Sequence, residues 1–337
     1  MGVDLGALMK GREVELGELA HGRVAIDAFN ALYQFLSIIR QRDGTPLLDS
    51  AGRITSHLSG LLYRTSNMME VGIMPFYVFD GEPPALKRGT LERREHIRES
   101  AKRSWEEARE RGEDGFVYAQ ASSRVDEQIL DDAKRLLSLM GVPFVVAPSE
   151  GEAQAAHMTR KGDADYAGSQ DYDTLVFGAP KVVRNLAITG RRKLPRRRVY
   201  VDVKPEVIEL DAELERLGIT REQLVDIAIL VGTDYNPGIK GIGPKKAYGL
   251  VKKGKDIFSI LDELGEHIEH AEEIRQFFLE PEVTDDYELV WSKPDSDGVI
   301  QFLCEERDFS QERVERALHK LEAALESQKQ RSLDAWF

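Results

Sequence analysis

Short runs of β-branched and aromatic residues recur along the chain, separated by stretches of helical pattern. The runs are Val24 to Ile26, Phe76 to Phe79, Phe144 to Ala147, Tyr166 to Ser169, Val182 to Leu186 and Val199 to Val203. Strands alternating with helices predict an α/β fold, a mostly parallel central sheet flanked by helices. In such sheets, binding sites gather at the carboxyl ends of the strands. Acidic residues stand at several of those ends. Asp27 follows Val-Ala-Ile, Asp80 follows Phe-Tyr-Val-Phe, Glu150 and Glu152 follow Phe-Val-Val-Ala-Pro-Ser, and Asp171 and Asp173 occupy an otherwise strand-like stretch. Taken singly, Asp27 or Asp80 reads as a helix N-cap or turn former, and Glu150-Gly-Glu152 equally suits the acidic first turn of a helix. Four such ends on one sheet ask for a shared reason.

Between residues 82 and 130 the pattern changes. Lys87 to Arg111 carries nine basic and six acidic residues with few large apolar ones, so a helix there is too polar all round to be buried. It is either a solvated helix laced with i,i+4 ion pairs or a cover over the strand-end site. Charge elsewhere is segregated. The 337 residues include 46 basic and 59 acidic ones, a net charge of −13 that argues against a nucleic-acid partner. Yet Lys181 to Arg198 holds eight basic residues and no acidic one, Gly238 to Lys255 holds six and none, and Asp256 to Val290 holds twelve acidic residues against Arg275 alone. Basic surfaces therefore exist despite the net figure. The single cysteine, Cys304, excludes an intramolecular disulfide and a Cys-based zinc site, and fits a cytoplasmic, reducing compartment. No apolar run approaches the roughly 18 to 20 residues that span a bilayer, so no membrane partner is expected.

Asp234 adds a seventh carboxylate. If all seven converge, their repulsion raises one another's pKa and calls for cations. An oxygen-only donor set selects a hard ion, Mg²⁺ with Mn²⁺ able to substitute, over zinc. Two such ions about 4 Å apart activate a water and stabilise the departing oxygen of an in-line attack on phosphorus. The reaction class is then phosphodiester hydrolysis. His267 and His270, beside Glu266 and Glu269, read instead as a solvated helix face. Beyond Asp234, Gly241-Ile-Gly243-Pro244 between helical segments reads as a helix-hairpin-helix, with Pro244 suited to the first helical position. Its glycines let backbone N–H groups approach a phosphate and Lys245 and Lys246 add charge, although the same residues can make a plain Gly-Pro turn.

Taken in order, Val-Ala-Ile-Asp27-Ala, Tyr-Val-Phe-Asp80-Gly-Glu-Pro-Pro, Ala-Pro-Ser-Glu150-Gly-Glu152-Ala, Ser-Gln-Asp171-Tyr-Asp173 and Val-Gly-Thr-Asp234-Tyr, then Gly-Ile-Gly-Pro-Lys, resemble the flap endonuclease family. These are structure-specific 5′ nucleases of replication and repair, and the resemblance is closest to archaeal members, over essentially the whole chain. It implies a two-metal site of Asp27, Asp80, Glu150, Glu152, Asp171, Asp173 and Asp234. It implies that Lys87 and Arg94, on a helical arch over about 82–130, reach the scissile phosphate. Tyr33 matches a tyrosine that stacks on a base near the cut, though by pattern alone it is a core aromatic. Gly2 matches the position that brings a processed N-terminus to the site.

The implied substrate is branched DNA with a single-stranded 5′ flap, cut at its base in Okazaki-fragment maturation and repair, with 5′–3′ exonuclease action alongside. The implied organisation is one nuclease domain over 1–325 acting as a monomer. It has an N-terminal part to about 105, an internal part over about 115–258 and the helix-hairpin-helix at about 220–255. Two departures stand out. Where many relatives carry a serine that helps hold a monovalent cation near the hairpin, this chain has Asn236-Pro237-Gly238, leaving such a cation to backbone carbonyls. Asp49-Ser-Ala-Gly-Arg53 replaces the acidic cluster that covers a 3′ flap in eukaryotic members.

Residues 326–337 form a tail. Its last eight, Gln330-Arg-Ser-Leu333-Asp-Ala-Trp336-Phe337, fit the Gln-x-x-Leu-x-x-aromatic-aromatic motif that docks on the sliding clamp PCNA. The spacing turns Leu333, Trp336 and Phe337 to one side of a helical turn, with Gln330 as a polar anchor; docking on the chain's own body is the other reading. Two further functions stay in view: a sibling 5′ exonuclease or junction resolvase, and a non-catalytic DNA-junction module that recruits the clamp. The seven acids favour an enzyme, since binding alone would not need them.

Overall fold

The computed structural model describes the chain except for Met1, Arg42, Arg88 and residues 91–95, 97–98, 102, 105–123, 187–189, 194–199 and 335–337. Its strands are β1 (Arg12–Glu13), β2 (Arg23–Asp27), β3 (Met74–Phe79), β4 (Phe144–Val146), β5 (Tyr166–Gly168), β6 (Lys181–Arg184), β7 (Gly190–Lys193), β8 (Tyr200–Val203) and β9 (Glu206–Glu209). Seven of them form one mixed sheet in the order β1-β9-β6-β5-β2-β3-β4. The five strands from β6 to β4 in that order run parallel, while β9 joins β6, and β1 joins β9, antiparallel. The run at Val199 to Val203 departs from the expected sheet. As β8 it pairs with β7 in a separate two-stranded hairpin. The chain returns to the main sheet only after Lys204-Pro205, where proline, lacking an N–H, interrupts the ladder.

Period-two alternation sorts the strand side chains onto two cores. Val24 and Ile26 of β2 and Tyr77 and Phe79 of β3 join Leu32, Phe35, Leu58 and Leu61 of the helices Ala28–Ile38 and Ser56–Glu70 on one face. Ala25, Phe76 and Val78 point the other way, into a core with Ala153 and Ala156 of helix Gly151–Lys161 and Ile227 of helix Arg221–Val231. Both faces are covered, which is why β3 reads as an unbroken apolar run and is buried throughout. Truncating Phe76 to alanine would cost about 3–5 kcal/mol and loosen the strand that delivers Asp80.

Helix Gln311–Asp334 packs on helix Ser56–Glu70 through Val314, Ala317, Leu318, Leu321 and Leu325. After Leu325 its next seven residues are polar, and 326–330 are exposed. Among the described residues no helix is long and apolar enough to cross a membrane.

The parallel strands carry a topological switch. From β2 the chain adds β3 and β4 on one side, then crosses back to lay β5 and β6 on the other. The crevice at such a reversal, outside the carboxyl ends of β2 and β5, is where open α/β sheets bind ligands.

Candidate active site

The carboxylates line that edge. Asp27 ends β2 and caps helix Ala28–Ile38, its Oδ1 accepting the Asn30 N–H at 3.0 Å. Asp80 follows β3 and accepts the Gly151 N–H at 2.6 Å. A Cβ on Gly151 would stand 2.8 Å from that Asp80 oxygen, so glycine lets these two strand ends close on each other. Glu150 is the N-cap of helix Gly151–Lys161 and Glu152 lies in its first turn. Asp27 therefore caps a helix as well as joining the acids, and the glutamate pair stands at a helix start without a side-chain cap bond from Glu150. Asp171 lies in the loop after β5 and Asp173 opens the short helix Asp173–Val176, so this pair stands beyond a strand end and not within a strand. Asp234 comes three residues after helix Arg221–Val231.

Burial and mutual repulsion set the electrostatics. Desolvation first, then the charge of Asp80, pushes the Asp27 carboxyl well above its ordinary range, against the Asn30 N–H. Burial and Glu150 raise Asp80 to about 6, and burial and Asp234 raise Asp173 to about 7. Glu152 is driven well up by burial and then by Asp173, Asp27 and Asp171, although Ser169 Oγ at 2.6 Å and Thr174 Oγ1 at 2.8 Å both donate to its Oε1. These influences link all seven acids into one network.

Among the described side chains, a lysine sits in their midst. Lys87, buried in the turn Ala85–Lys87, donates to both oxygens of Glu150 at 2.8 and 2.7 Å and stands 3.9 Å from Asp234 Oδ2. Burial works against its ammonium, but Glu150, Asp80 and Asp234 outweigh it and raise its pKa. One lysine cannot balance seven carboxylates, four of which stay raised despite it. Among the described residues no three acids close into a ready-made metal cage. An all-oxygen, electrostatically unsatisfied edge of this kind fits a hard ion such as magnesium, which takes few direct carboxylates and completes its shell with water and substrate phosphate.

Comparison with known proteins supplies the family. Residues 4–101 match the XPG N-terminal domain and residues 141–234 the XPG I-region. The chain is 60% identical to Flap endonuclease 1 of Archaeoglobus fulgidus over 338 residues and 58% identical to that of Methanocella arvoryzae over 340, covering 100% of each chain. The chain belongs to the flap endonuclease family. A solved flap endonuclease-1 from Methanococcus jannaschii shares the fold at a TM-score of 0.79 and 42% identity, over 97% of this chain and 100% of that one.

The remaining residues that the family resemblance implicated fall into three groups. Near the flap endonuclease carboxylates lies the N-terminus: the Val3 N–H donates to Asp173 Oδ1 at 2.7 Å, and Gly2 is so close that a Cβ there would strike that carboxylate. Tyr33, at 36% relative exposure, is an exposed aromatic and not the core residue that pattern alone suggested.

The second group is the hairpin. Gly243 caps helix Pro244–Val251 with Pro244 at its first position, and a Cβ on Gly241 or Gly243 would meet nothing within 4 Å, so the turn presents open backbone with Lys245 and Lys246 exposed beside it. Gly238 has φ +69°, and a Cβ there would lie 2.3 Å from the Val231 carbonyl oxygen, so serine could not take its place without moving the turn. Asn236 is spent on the turn itself, donating to Ile229 O and receiving the Thr233 hydroxyl, both at 2.8 Å.

The third group lies apart. Asp49 is paired with Arg53 at 2.7 Å, and Ser50 donates to Asp308, so this loop is tied to the C-terminal segment. His267 and His270 are exposed, with His270 Nδ1 3.0 Å from Glu273. Gln330 is exposed and Leu333 continues the terminal helix. Arg94, Trp336, Phe337 and most of the arch lie outside the described residues.

Sequence reasoning missed Asn30, Ser169 and Thr174, the neutral donors that hold Asp171 and Glu152. Asn30 is three residues after Asp27, on the same helix face, which is the signal that could have found it.

Proposed function

We propose that this flap endonuclease hydrolyses the phosphodiester at the base of a single-stranded 5′ flap through two Mg²⁺ ions, with Mn²⁺ able to substitute. The observation that carries this reading is the network of seven buried and half-buried carboxylates at the switch point of the sheet, of which Lys87 pairs with Glu150 and leaves the rest in excess. The ions would be held by Asp27, Asp80, Glu150, Glu152, Asp171, Asp173 and Asp234, some of them through water. When bound, they supply an activated water and charge stabilisation for the departing oxygen. Lys87 places a positive charge at the same edge, where it can meet the scissile phosphate, and Arg94 shares that task. Tyr33 offers an exposed ring for a base beside the cut, and Gly2 packs the N-terminus against Asp173.

The open hairpin at Gly241 and Gly243, with Lys245 and Lys246, grips downstream duplex through its phosphates and so positions the junction without reading its sequence. A monovalent cation there would rest on backbone carbonyls, because Asn236 is committed and Gly238 has no side chain. Residues 1–325 act as one nuclease domain and as a monomer in the cell interior. The tail from 326 docks Leu333, Trp336 and Phe337 on the sliding clamp, which brings the enzyme to Okazaki fragments and repair intermediates.

A 5′-labelled flap substrate tests this. Cleavage near the junction is expected in Mg²⁺, with binding but no cleavage in EDTA or in Asp171→Ala. Metal-independent cutting, or equal cutting of a flapless duplex end, would overturn it. Deleting 330–337 should abolish clamp stimulation and leave basal cleavage intact.

A further inference from the structure

Asp171 lies in a loop, and among the described residues its carboxylate is met by a neutral donor from another element: Asn30 Nδ2 donates to Asp171 Oδ2 at 3.2 Å. The same asparagine donates its backbone N–H to Asp27 Oδ1 at 3.0 Å. Asn30 thus touches two acids that stand on adjacent strands, Asp27 at the end of β2 and Asp171 beyond β5. Its amide orientation is chemically decided, since a carboxylate only accepts and must face the NH₂ group. The Asn30 carbonyl then points along the helix, where Gln34 Nε2 donates to it one turn later. The Gln34 Oε1 is buried without a hydrogen-bond partner among the described residues, beside a cavity of about 20 Å³ lined by Ile26, Asn30, Gln170 and Val183. The Asn30 oxygen can only accept, so the Gln34 amide must face it with Nε2, and this bond in turn holds the Asn30 orientation.

We propose that Asn30 is a positioning residue that sets the Asp171 carboxylate relative to Asp27 for divalent-metal binding, and that Gln34 locks Asn30 in place. The inference rests on the metal-site reading above. Asn30 would touch neither substrate nor metal; it acts through Asp171. Its removal frees the carboxylate to rotate into solvent while leaving the Asp27 cap intact, because that cap uses the backbone.

The test measures Mn²⁺ binding to the full chain without DNA, from the paramagnetic resonance of the free ion, alongside flap binding in EDTA. Asn30→Leu should weaken Mn²⁺ binding about 10-fold and Gln34→Leu about 3-fold, with metal-free flap affinity unchanged in both. Cleavage should drop most at limiting Mg²⁺ and recover toward wild type as Mg²⁺ is raised. Wild-type Mn²⁺ affinity in Asn30→Leu would overturn the proposal, as would a matching loss of metal-free flap binding, which marks local misfolding. If Asn30→Leu does not fold, Gln34→Leu decides alone: weakened Mn²⁺ binding supports the relay and unchanged binding overturns it. Asp171→Ala serves as the reference. If it too binds Mn²⁺ like wild type, the metal-site reading fails; if it loses binding while Asn30→Leu does not, only the positioning role fails.

Discussion

Two acidic regions of this protein carry charge of the same sign and opposite energetic meaning. In the stretch from Asp256 to Val290 three acids show the first meaning. Asp256 caps helix Ile257–Leu264 through the Ser259 N–H at 2.8 Å, Glu263 pairs with Lys255 at 2.5 Å, and Asp285 meets His157 at 2.8 Å and Lys161 at 3.0 Å. Each of these three carboxyls is held below its ordinary range, Asp256 by backbone donors, Glu263 by Lys255 and Asp285 by His157. At the strand ends the acids are buried or half-buried, repel one another, and Asp27, Asp80, Glu152 and Asp173 are raised. The surface acids favour the folded chain as they stand. The site acids oppose it until cations arrive, which is how a binding site stores affinity for metal. The block is also less separate from basic residues than its sequence suggests, because Lys255 and Lys161 reach into it.

The largest test removes one site acid without changing its shape. Asp173→Asn should cut flap hydrolysis about 1,000-fold or more, the loss of roughly 4 kcal/mol of transition-state stabilisation. The same variant should raise the melting temperature in EDTA. Its pH dependence follows from sign. Asp173 titrates near 7 in the folded chain against 3.8 ordinarily, so between those values the folded state holds the extra proton and stability falls as pH rises. That slope is up to about 1.4 kcal/mol per pH unit for one group. Urea melts in EDTA at pH 5 and 7.5 should show it in wild type and a shallower slope in Asp173→Asn. Equal slopes would erase the distinction between the two regions.

An effect of comparable size, on stability and not on rate, comes from the cation. Lys87→Met leaves Glu150 buried without its partner and should cost about 3–5 kcal/mol in metal-free urea melts, with added Mg²⁺ recovering part of the loss. The surface counterpart, Lys255→Met, exposes Glu263 to water and should leave the melt unchanged within error. A comparable loss in both would mean that burial does not separate the two regions.

Much of this was legible from the residues. β2, β3, β4 and β5 fell where the apolar runs placed them, and the acids at their ends were visible because a parallel sheet buried on both faces makes strands conspicuous. β9 was not, since Glu206-Val-Ile-Glu209 lies on the antiparallel side of the sheet, with acids at both of its ends. The burial of Lys87 was hidden as well: it opens a stretch of charged residues, and only the turn after Asp80 brings it inward. The neutral donors escaped for a different reason. Ser169 and Thr174 act on Glu152 from 17 and 22 positions away, and Asn30 on Asp171 from 141 away, with its place three residues after Asp27 as the one local mark.

The smallest expected effect probes the acidic block from the DNA side. Asp285 Oδ1 is shared by His157 and Lys161, and its side chain is 62% exposed. Asp285→Asn keeps an acceptor oxygen and loses a screened charge, so its stability change should vanish at ordinary salt. Flap binding in EDTA gives the sharper reading. If the block stands clear of DNA, affinity and its slope against salt concentration should both match wild type, because no phosphate contact has changed. Tighter binding with a changed salt slope would place Asp285 beside the phosphate backbone. The surface acids would then act on the substrate as well as on the fold, and the contrast between the two regions would become one of degree.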